Sequence, residues 1–299
     1  CFHTTNNEIS YMKEYCPLGV ILFSRNIVNK KQTQSLIEKI KNILGDNALI
    51  LIDQEGGRVS RLLCPEWPLF PSAKTFGNIA KKDLRKAEKA TFENFKNIGK
   101  HLNFLGINYN CAPVLDLSIR NSNKIIGDRA FSRDPFVVAR LGKKACDGLK
   151  SSNIIPIIKH IPGHGRSLKD SHLELPIINL DLKKLGDDFY PFFKLNDIEA
   201  AMTGHLKFSK IDENCVTHSE LVIKKIIREK IGFKGLLFSD DLCMKALKGS
   251  YISRAKKAIN SGCDIVLHCQ PDIKNIINST IGAGKVSKKT AKKITTNFK

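Results

Sequence analysis

The chain has 299 residues, 42% of them hydrophobic, with 49 Lys and Arg against 29 Asp and Glu for a net charge of +20. That is length and apolar content enough for one large α/β domain, and no run of 18 or more apolar residues marks a membrane span. The basic residues are mostly Lys, spread along the chain with a modest concentration near residues 285–299 and without interleaved aromatics. This describes first a solvated Lys-rich surface, second the steering of an anionic ligand, and argues against a single-strand nucleic-acid groove. After a polar opening, residues 17–26 read as a buried strand with a polar end, and 32–44 as a helix with apolar positions at Leu36, Ile37, Ile40, Ile43 and Leu44. A second strand, 48–53, closes on Asp53 and runs into Gln54-Glu55-Gly56-Gly57-Arg58-Val59-Ser60-Arg61. A long helix over 83–105 precedes a third strand and loop at 107–116. A loop holding Ile126-Gly127-Asp128-Arg129 and a helix to about residue 151 lead into a fourth strand, 154–159. Helix 189–196, strand 200–205, helix 219–230, strand 235–241, helix 252–261 and strand 264–269 complete the series.

Buried strands alternating with amphipathic helices specify parallel β/α units. No low-complexity or Gly/Ser-rich break divides residues 1–299, so a single domain is expected. Polar residues gather at the carboxyl ends of the strands: Asp53, Asp116, Lys159-His160, His205, Asp240-Asp241 and His268. In a TIM barrel that whole rim is the active site, whereas an open doubly wound sheet uses only its switch point. The expected fold is therefore a (β/α)8 TIM barrel with seven strands in hand and the first strand upstream of Cys1. Nine Cys, an odd number without a C-x-x-C pair, indicate neither a disulfide framework nor a zinc knuckle. They fit reduced thiols in the cytoplasm.

Three of the eight His fall in the segment 159–176, which also holds Gly and Pro breaks. Asp170 and His172 stand two residues apart. That spacing lets the carboxylate meet one imidazole nitrogen and leaves the other to move a proton. A bare D-x-H is more often a capped turn beside an exposed imidazole, so the pair gains weight only from its surroundings. Asp240 ends an apolar strand, where a carboxylate is rigidly held; the competing reading is that Asp240 and Asp241 cap the next helix. A fixed carboxylate facing an acid/base suits double displacement at an acetal carbon. Asp240 would attack the anomeric carbon while His172 protonates the leaving oxygen and then activates water, with net retention. Asp53, Arg61, Arg129, Lys159, His160 and His205 on the same rim are the candidates for holding sugar hydroxyls and acyl or carboxylate groups.

Four motifs occur in order: Ile52-Asp53-Gln54-Glu55-Gly56-Gly57-Arg58-Val59-x-Arg61, Ile126-Gly127-Asp128-Arg129-Ala130-Phe131, Lys159-His160-x-Pro162-Gly163-His164-Gly165-x4-Asp170-Ser171-His172, and Gly232-Phe233-x-Gly235-x3-Ser239-Asp240-Asp241-Leu242-x-Met244. Over nearly its whole length the chain resembles the bacterial β-N-acetylglucosaminidases of glycoside hydrolase family 3, cytoplasmic enzymes of peptidoglycan recycling. The resemblance implies a barrel, an Asp170–His172 acid/base dyad on a mobile loop, Asp240 as nucleophile, and Asp53, Arg61, Arg129, Lys159 and His160 binding a terminal N-acetylglucosamine. The implied substrate is N-acetylglucosamine β-1,4-linked to anhydro-N-acetylmuramic acid, with or without peptide. A cytoplasmic monomer without metal or cofactor, binding neither nucleic acid nor membrane, is expected. Departures from the family pattern are Ile161 in place of Phe, Gly204 in place of a small side chain, and Cys215 in place of Pro; none falls on a residue assigned to chemistry.

Three other readings compete. Relatives acting on β-glucosides or β-xylosides generally take their acid/base from a Glu in a later domain, and none is expected here. His160, His164 and His172 with Asp240 could ligate a metal, yet the spacing matches no motif such as H-E-x-x-H. A nucleic-acid-binding protein would show steep salt dependence and no need for Asp240.

Overall fold

The computed structural model describes residues 4–297. The opening stretch is helical: Thr5 and Glu8 form a reciprocal cap, each side chain taking the other's backbone N–H, and start α1 (Asn6–Tyr15). There follow β1 (Gly19–Leu22), α2 (Lys30–Leu44), β2 (Leu49–Ile52), α3 (Ala73–Ala80), α4 (Leu84–Leu105), β3 (Tyr109–Asn110), α5 (Pro135–Lys150) and β4 (Ile155–Ile161). Then come β5 (Ile177–Ile178), α6 (Gly186–Lys194), β6 (Ala200–Thr203), β7 (Lys207–Phe208), a π-helix (Val222–Lys230), β8 (Leu236–Asp241), α7 (Tyr251–Ser261), β9 (Ile265–Leu267), α8 (Ile273–Ala283) and α9 (Lys288–Asn297). The long helices begin and end where the chain supplies caps. Asp83 accepts the Lys86 N–H at the start of α4, and Gly106, in the left-handed region, stops it. Asp134 caps α5 with Pro135 in its first turn.

The seven strands expected from the sequence are the seven of the main sheet, ordered β1-β2-β3-β4-β6-β8-β9 and parallel throughout. The sheet curls into a nearly closed barrel with helices outside. Its two ends are joined by Arg25, just past β1, which donates to the Cys269 carbonyl just past β9 at 2.5 Å. Tyr11 on α1 shares a 2.7 Å hydroxyl bond with Thr280 on α8. No eighth strand lies between β9 and β1 among the described residues. β5 and β7 form a separate two-stranded pair.

Strand periodicity sorts the core into two layers. Leu49 and Leu51, Tyr109 and Cys111, Ile157, Ala200 and Met202, Leu236 and Phe238, and Ile265 and Leu267 pack together inside the barrel. Ile50, Ile52, Ile158, Ala201 and Leu237 alternate with them and pack outward against the helices. Ile294 of α9 joins the interior cluster, and Lys293 bonds the Gly235 carbonyl, so α9 stands against the amino-terminal end of the barrel. The same alternation carried two residues further places Asp53 above Leu51, Lys159 above Ile157 and Asp240 above Phe238. Three inward columns of apolar side chains thus end in charge at the carboxyl rim.

Candidate active site

Lys159 is buried, and its ammonium is held between two carboxylates, Asp53 Oδ1 at 2.8 Å and Glu55 Oε1 at 2.7 Å. Glu55 also receives Arg129 through both guanidinium edges, Nε to Oε2 and Nη2 to Oε1, each at 2.8 Å. The Glu55 carboxyl is buried, which works against ionisation, but Arg129 and Lys159 outweigh burial and hold it far below its ordinary range. The same pairings push Lys159 and Arg129 upward against their own burial. All are charged at neutral pH, and their hydrogen bonds make the buried charges tolerable.

The turn that aims Glu55 inward needs two glycines. Gly56 and Gly57 have φ of 95° and 57°, and a Cβ on Gly56 would come 2.4 Å from the Pro71 carbonyl oxygen. The loop beyond is pinned by Gln54. Its backbone exchanges two bonds with the Asn110 amide, and its Oε1 accepts the N–H groups of Arg61 and Leu62. Arg61 therefore reaches back over the rim, 3.4 Å from Asp53 and stacked over Phe23.

A second buried carboxylate, Asp116, organises the start of the His-rich segment. It accepts His160 Nδ1 at 2.6 Å, the His160 N–H at 3.3 Å and the His164 N–H at 2.6 Å. Burial alone would raise its pKa, but these donors and the His160 ring hold it below its ordinary value. An ionised Asp116 makes Nδ1 of His160 the donor and leaves Nε2 for a ligand.

Asp240 is half-buried at the carboxyl end of β8, where its Oδ1 accepts the Asp241 N–H at 2.8 Å. Desolvation is again outweighed, here by His205 and His160, by that N–H and by Lys159, so the carboxyl sits below its ordinary range and is ionised at neutral pH. Asp241 points elsewhere: its Oδ1 takes the Cys243 and Cys269 N–H groups, tying the ends of β8 and β9. Helix capping is therefore not what Asp240 and Asp241 do; α7 is capped by Ser250. His205 is fully buried with both ring nitrogens bonded within the protein. Nε2 donates to the Asp241 carbonyl at 3.0 Å, and Nδ1 accepts the Thr217 hydroxyl at 2.8 Å, itself bonded to Thr203. Its ring braces the backbone behind Asp240 and faces no ligand through nitrogen.

Asp170 and His172 do meet, Oδ1 to Nδ1 at 2.8 Å, on the exposed loop between β4 and β5. The Asp170 carboxyl is lowered despite partial burial because the backbone N–H and ring of His172 both bond it. No hydrogen bond within the described residues engages Nε2 of His172. Backbone bonds from Lys245 to the His172 carbonyl (3.4 Å) and from Ala246 to the Ser171 carbonyl (3.3 Å) attach this loop to the one that follows β8, so the dyad and Asp240 belong to one neighbourhood. Deeper in the loop, Arg166 pairs with buried Asp188 of α6 at 2.6 Å.

The sequence reading named Asp53, Lys159, Arg129, Arg61, His160, His205, Asp170, His172 and Asp240, and the structure sets them around the carboxyl rim, with His205 alone having both ring nitrogens bonded inside the protein. It did not name Glu55 or Asp116, which hold that set together. Glu55 lies inside a quoted motif, and Asp116 was noted as a strand-end carboxylate; those were the available signals. Among the described residues no group of three or more His, Cys, Asp and Glu is arranged to hold a metal ion.

Residues 3–296 match the glycosyl hydrolase family 3 N-terminal domain. The chain is 36% identical over 270 residues to a β-hexosaminidase of Haemophilus influenzae, covering 88% of this chain and 75% of that protein. It is 35% identical over 274 residues to the β-hexosaminidase of Methylobacillus flagellatus, covering 90% and 78%. The crystal structure of NagZ from Neisseria gonorrhoeae in complex with N-trifluoroacetyl-D-glucosamine superposes with a TM-score of 0.91 at 33% identity, over 99% of this chain and 87% of that one. A family 3 β-N-acetylglucosaminidase from Paenibacillus gives 0.88 at 28% identity, over 99% and 58%. With this barrel, this rim of charge and these relatives, the chain is a glycoside hydrolase and belongs to glycoside hydrolase family 3.

Proposed function

We propose that the chain is a retaining exo-β-N-acetylglucosaminidase acting on peptidoglycan fragments, N-acetylglucosamine β-linked to anhydro-N-acetylmuramic acid with or without peptide. The observation that carries this reading is the pairing of an ionised, strand-held Asp240 with a His172 whose Nδ1 is engaged by Asp170 and whose Nε2 is open. Asp240 attacks the anomeric carbon as the bond to the leaving oxygen breaks, and His172 Nε2–H delivers its proton to that oxygen. Neutral His172 then takes a proton from water, which displaces Asp240 from the same carbon, so configuration is retained. An imidazole acid works near neutrality without the raised pKa that a carboxylic acid needs in this role.

Asp53, Arg61, Arg129, Lys159 and His160 hold the terminal sugar, with the ion network fixing their directions before substrate arrives. The relatives' activity supports the N-acetylglucosaminide, and the net charge of +20 suits an aglycone bearing carboxylates. The working form on this reading is a cytoplasmic monomer, with residues 1–299 as one catalytic domain. No helix among the described residues is long and apolar enough to cross a membrane.

The test is release of an aryl leaving group from its β-N-acetylglucosaminide and its β-glucoside by wild type and Asp240→Ala. The expected result is turnover of the N-acetyl substrate alone, lost by at least about 10³-fold in the variant. Preference for the glucoside, or an active variant, would overturn the assignment. His172→Ala should slow substrates with poor leaving groups more than activated aryl ones, because only the former need the proton; equal losses would remove His172 from the acid role.

A further inference from the structure

Three inward columns of the barrel end in charge, and the column on β1 ends in an aromatic ring. Gly19, Val20, Ile21 and Leu22 pair in register with Leu49, Leu51 and their neighbours on β2. Ile21 packs with the interior cluster and Leu22 with the outer one. Carried past the last pair, the alternation sets Phe23 on the inward side, and the register sets it beside Asp53.

The Phe23 ring has two guanidinium groups against it, Arg25 Cζ at 4.3 Å and Arg61 Cζ at 5.3 Å from its centroid, both within the range of cation–π attraction. The Phe23 N–H donates to Asn26 Oδ1 at 3.0 Å, which fixes the backbone under the ring. Arg25 is tied down separately, donating Nη2 to the Cys269 carbonyl at 2.5 Å across the seam between β1 and β9. The ring is thereby anchored to the closure of the barrel.

Arg61 has little else to set the plane of its guanidinium. Its backbone N–H is fixed by Gln54, but its only side-chain hydrogen bond among the described residues runs from Nη2 to Asp53 at 3.4 Å, longer than a well-formed N–H···O bond. Asp53 gives its other oxygen to Lys159 at 2.8 Å. Arg61 Nε is buried with no partner, so hydrogen bonding does not fix that edge either. The face of Phe23 is what remains to do so.

We infer that Phe23 is a positioning residue of the sugar site: its ring holds the Arg61 guanidinium in the plane from which it meets the terminal sugar. The same ring ties that plane to the Arg25 clasp at the seam. An aliphatic side chain would fill the space without the electron-rich face that a guanidinium seeks. The inference rests on the proposed role of Arg61 in holding the sugar, and adds a residue that acts through Arg61.

The test measures KM and kcat of the whole chain on an aryl β-N-acetylglucosaminide. The variants are Phe23→Leu, Phe23→Met, Phe23→Tyr, Arg61→Ala and the double variant Phe23→Leu/Arg61→Ala. Phe23→Leu and Phe23→Met, which keep apolar filling without a ring, should each raise KM about fivefold with kcat within about twofold of wild type. Phe23→Tyr keeps the face and should stay near wild type. Arg61→Ala should raise KM as well, and adding Phe23→Leu to it should change KM by less than about twofold, as for two residues acting through one contact. Wild-type KM in both ring-less variants, beside a raised KM in Arg61→Ala, overturns this inference alone. So does a rise that persists at full size in the double variant, or a Phe23→Tyr as impaired as Phe23→Leu, since loss of packing would give either. Wild-type KM in Arg61→Ala would remove Arg61 from the sugar and this inference with it. A wild type that turns over no aryl β-N-acetylglucosaminide would overturn the functional reading itself.

Discussion

Lys159 sits between two carboxylates, and one of them, Glu55, also carries Arg129, so a single side chain holds two of the rim's cations in place. Glu55→Gln would leave Lys159 buried with Asp53 as its one full counter-charge and would break the two-pronged bond to Arg129. We expect a stability loss of about 3 kcal/mol in chemical denaturation, the cost of uncompensated buried charge, together with weaker sugar binding. A variant as stable as wild type would mean that the network relaxes without Glu55. Asp53, Lys159 and Asp240 were legible in the sequence because each is a charge ending an apolar, strand-like run. Glu55 and Asp116 were not legible as organisers, because what distinguishes them is a partner 74 or 44 positions away, brought near only by barrel closure.

At the scale of elements, the seven strands announced themselves through their apolar β-branched runs and α2 through its 3.6-residue spacing, while α4 and α5 were placed as the helices between strands. α1 was missed although Thr5-x-x-Glu8 is a helix start. α3, α8 and α9 were not named as helices, and two-residue strands such as β5 and β7 carry no period to detect. α3 matters to the site because it packs against the turn that carries Arg129. A Cβ on Gly77 would fall 1.6 Å from the Phe131 carbonyl oxygen, inside any allowed contact. Gly77→Ala should therefore lever α3 off that turn, with a loss of about 2 kcal/mol or more in denaturation and a raised KM. An unchanged KM beside lowered stability would show that the Arg129 turn does not depend on α3.

Taken whole, the molecule buries neutral imidazoles beside ionised carboxylates, which sets its response to acid. Burial, then neighbouring His205, pushes His218 down to about 4, as burial and His160 do His164. In the unfolded chain both rings take up protons near their ordinary 6.5, while the folded chain resists until about 4. The unfolded state thus binds more protons across that window, and stability falls as pH drops from about 6.5 to 4. Asp264, held low against its burial by Lys293 and Arg228, and Glu55 extend the loss to lower pH, since their contribution is present above the ordinary carboxylate value and disappears as each is protonated. Calorimetric Tm should decline steadily from pH 7 to pH 4; a flat profile would contradict the buried-neutral assignment of both rings. Under the proposed function, raising salt should lower kcat/KM for a fragment bearing carboxylates and leave a neutral aryl substrate nearly unaffected, because the field of a +20 protein steers only the former.

The nucleophile's strand and the dyad's loop are built to different standards. Asp240 belongs to the main sheet, while Asp170 and His172 ride an exposed segment that includes Leu168 and Lys169; its ties to the rest of the chain include two long backbone bonds, the Arg166–Asp188 pair and a bond from the Asn123 N–H to the Ser167 carbonyl. A protease that cuts after Lys169 would sever the proton donor's support yet leave the barrel and its cradle of charge unbroken. On the proposed roles, the nicked molecule would be a lectin: it would still recognise the sugar it can no longer release.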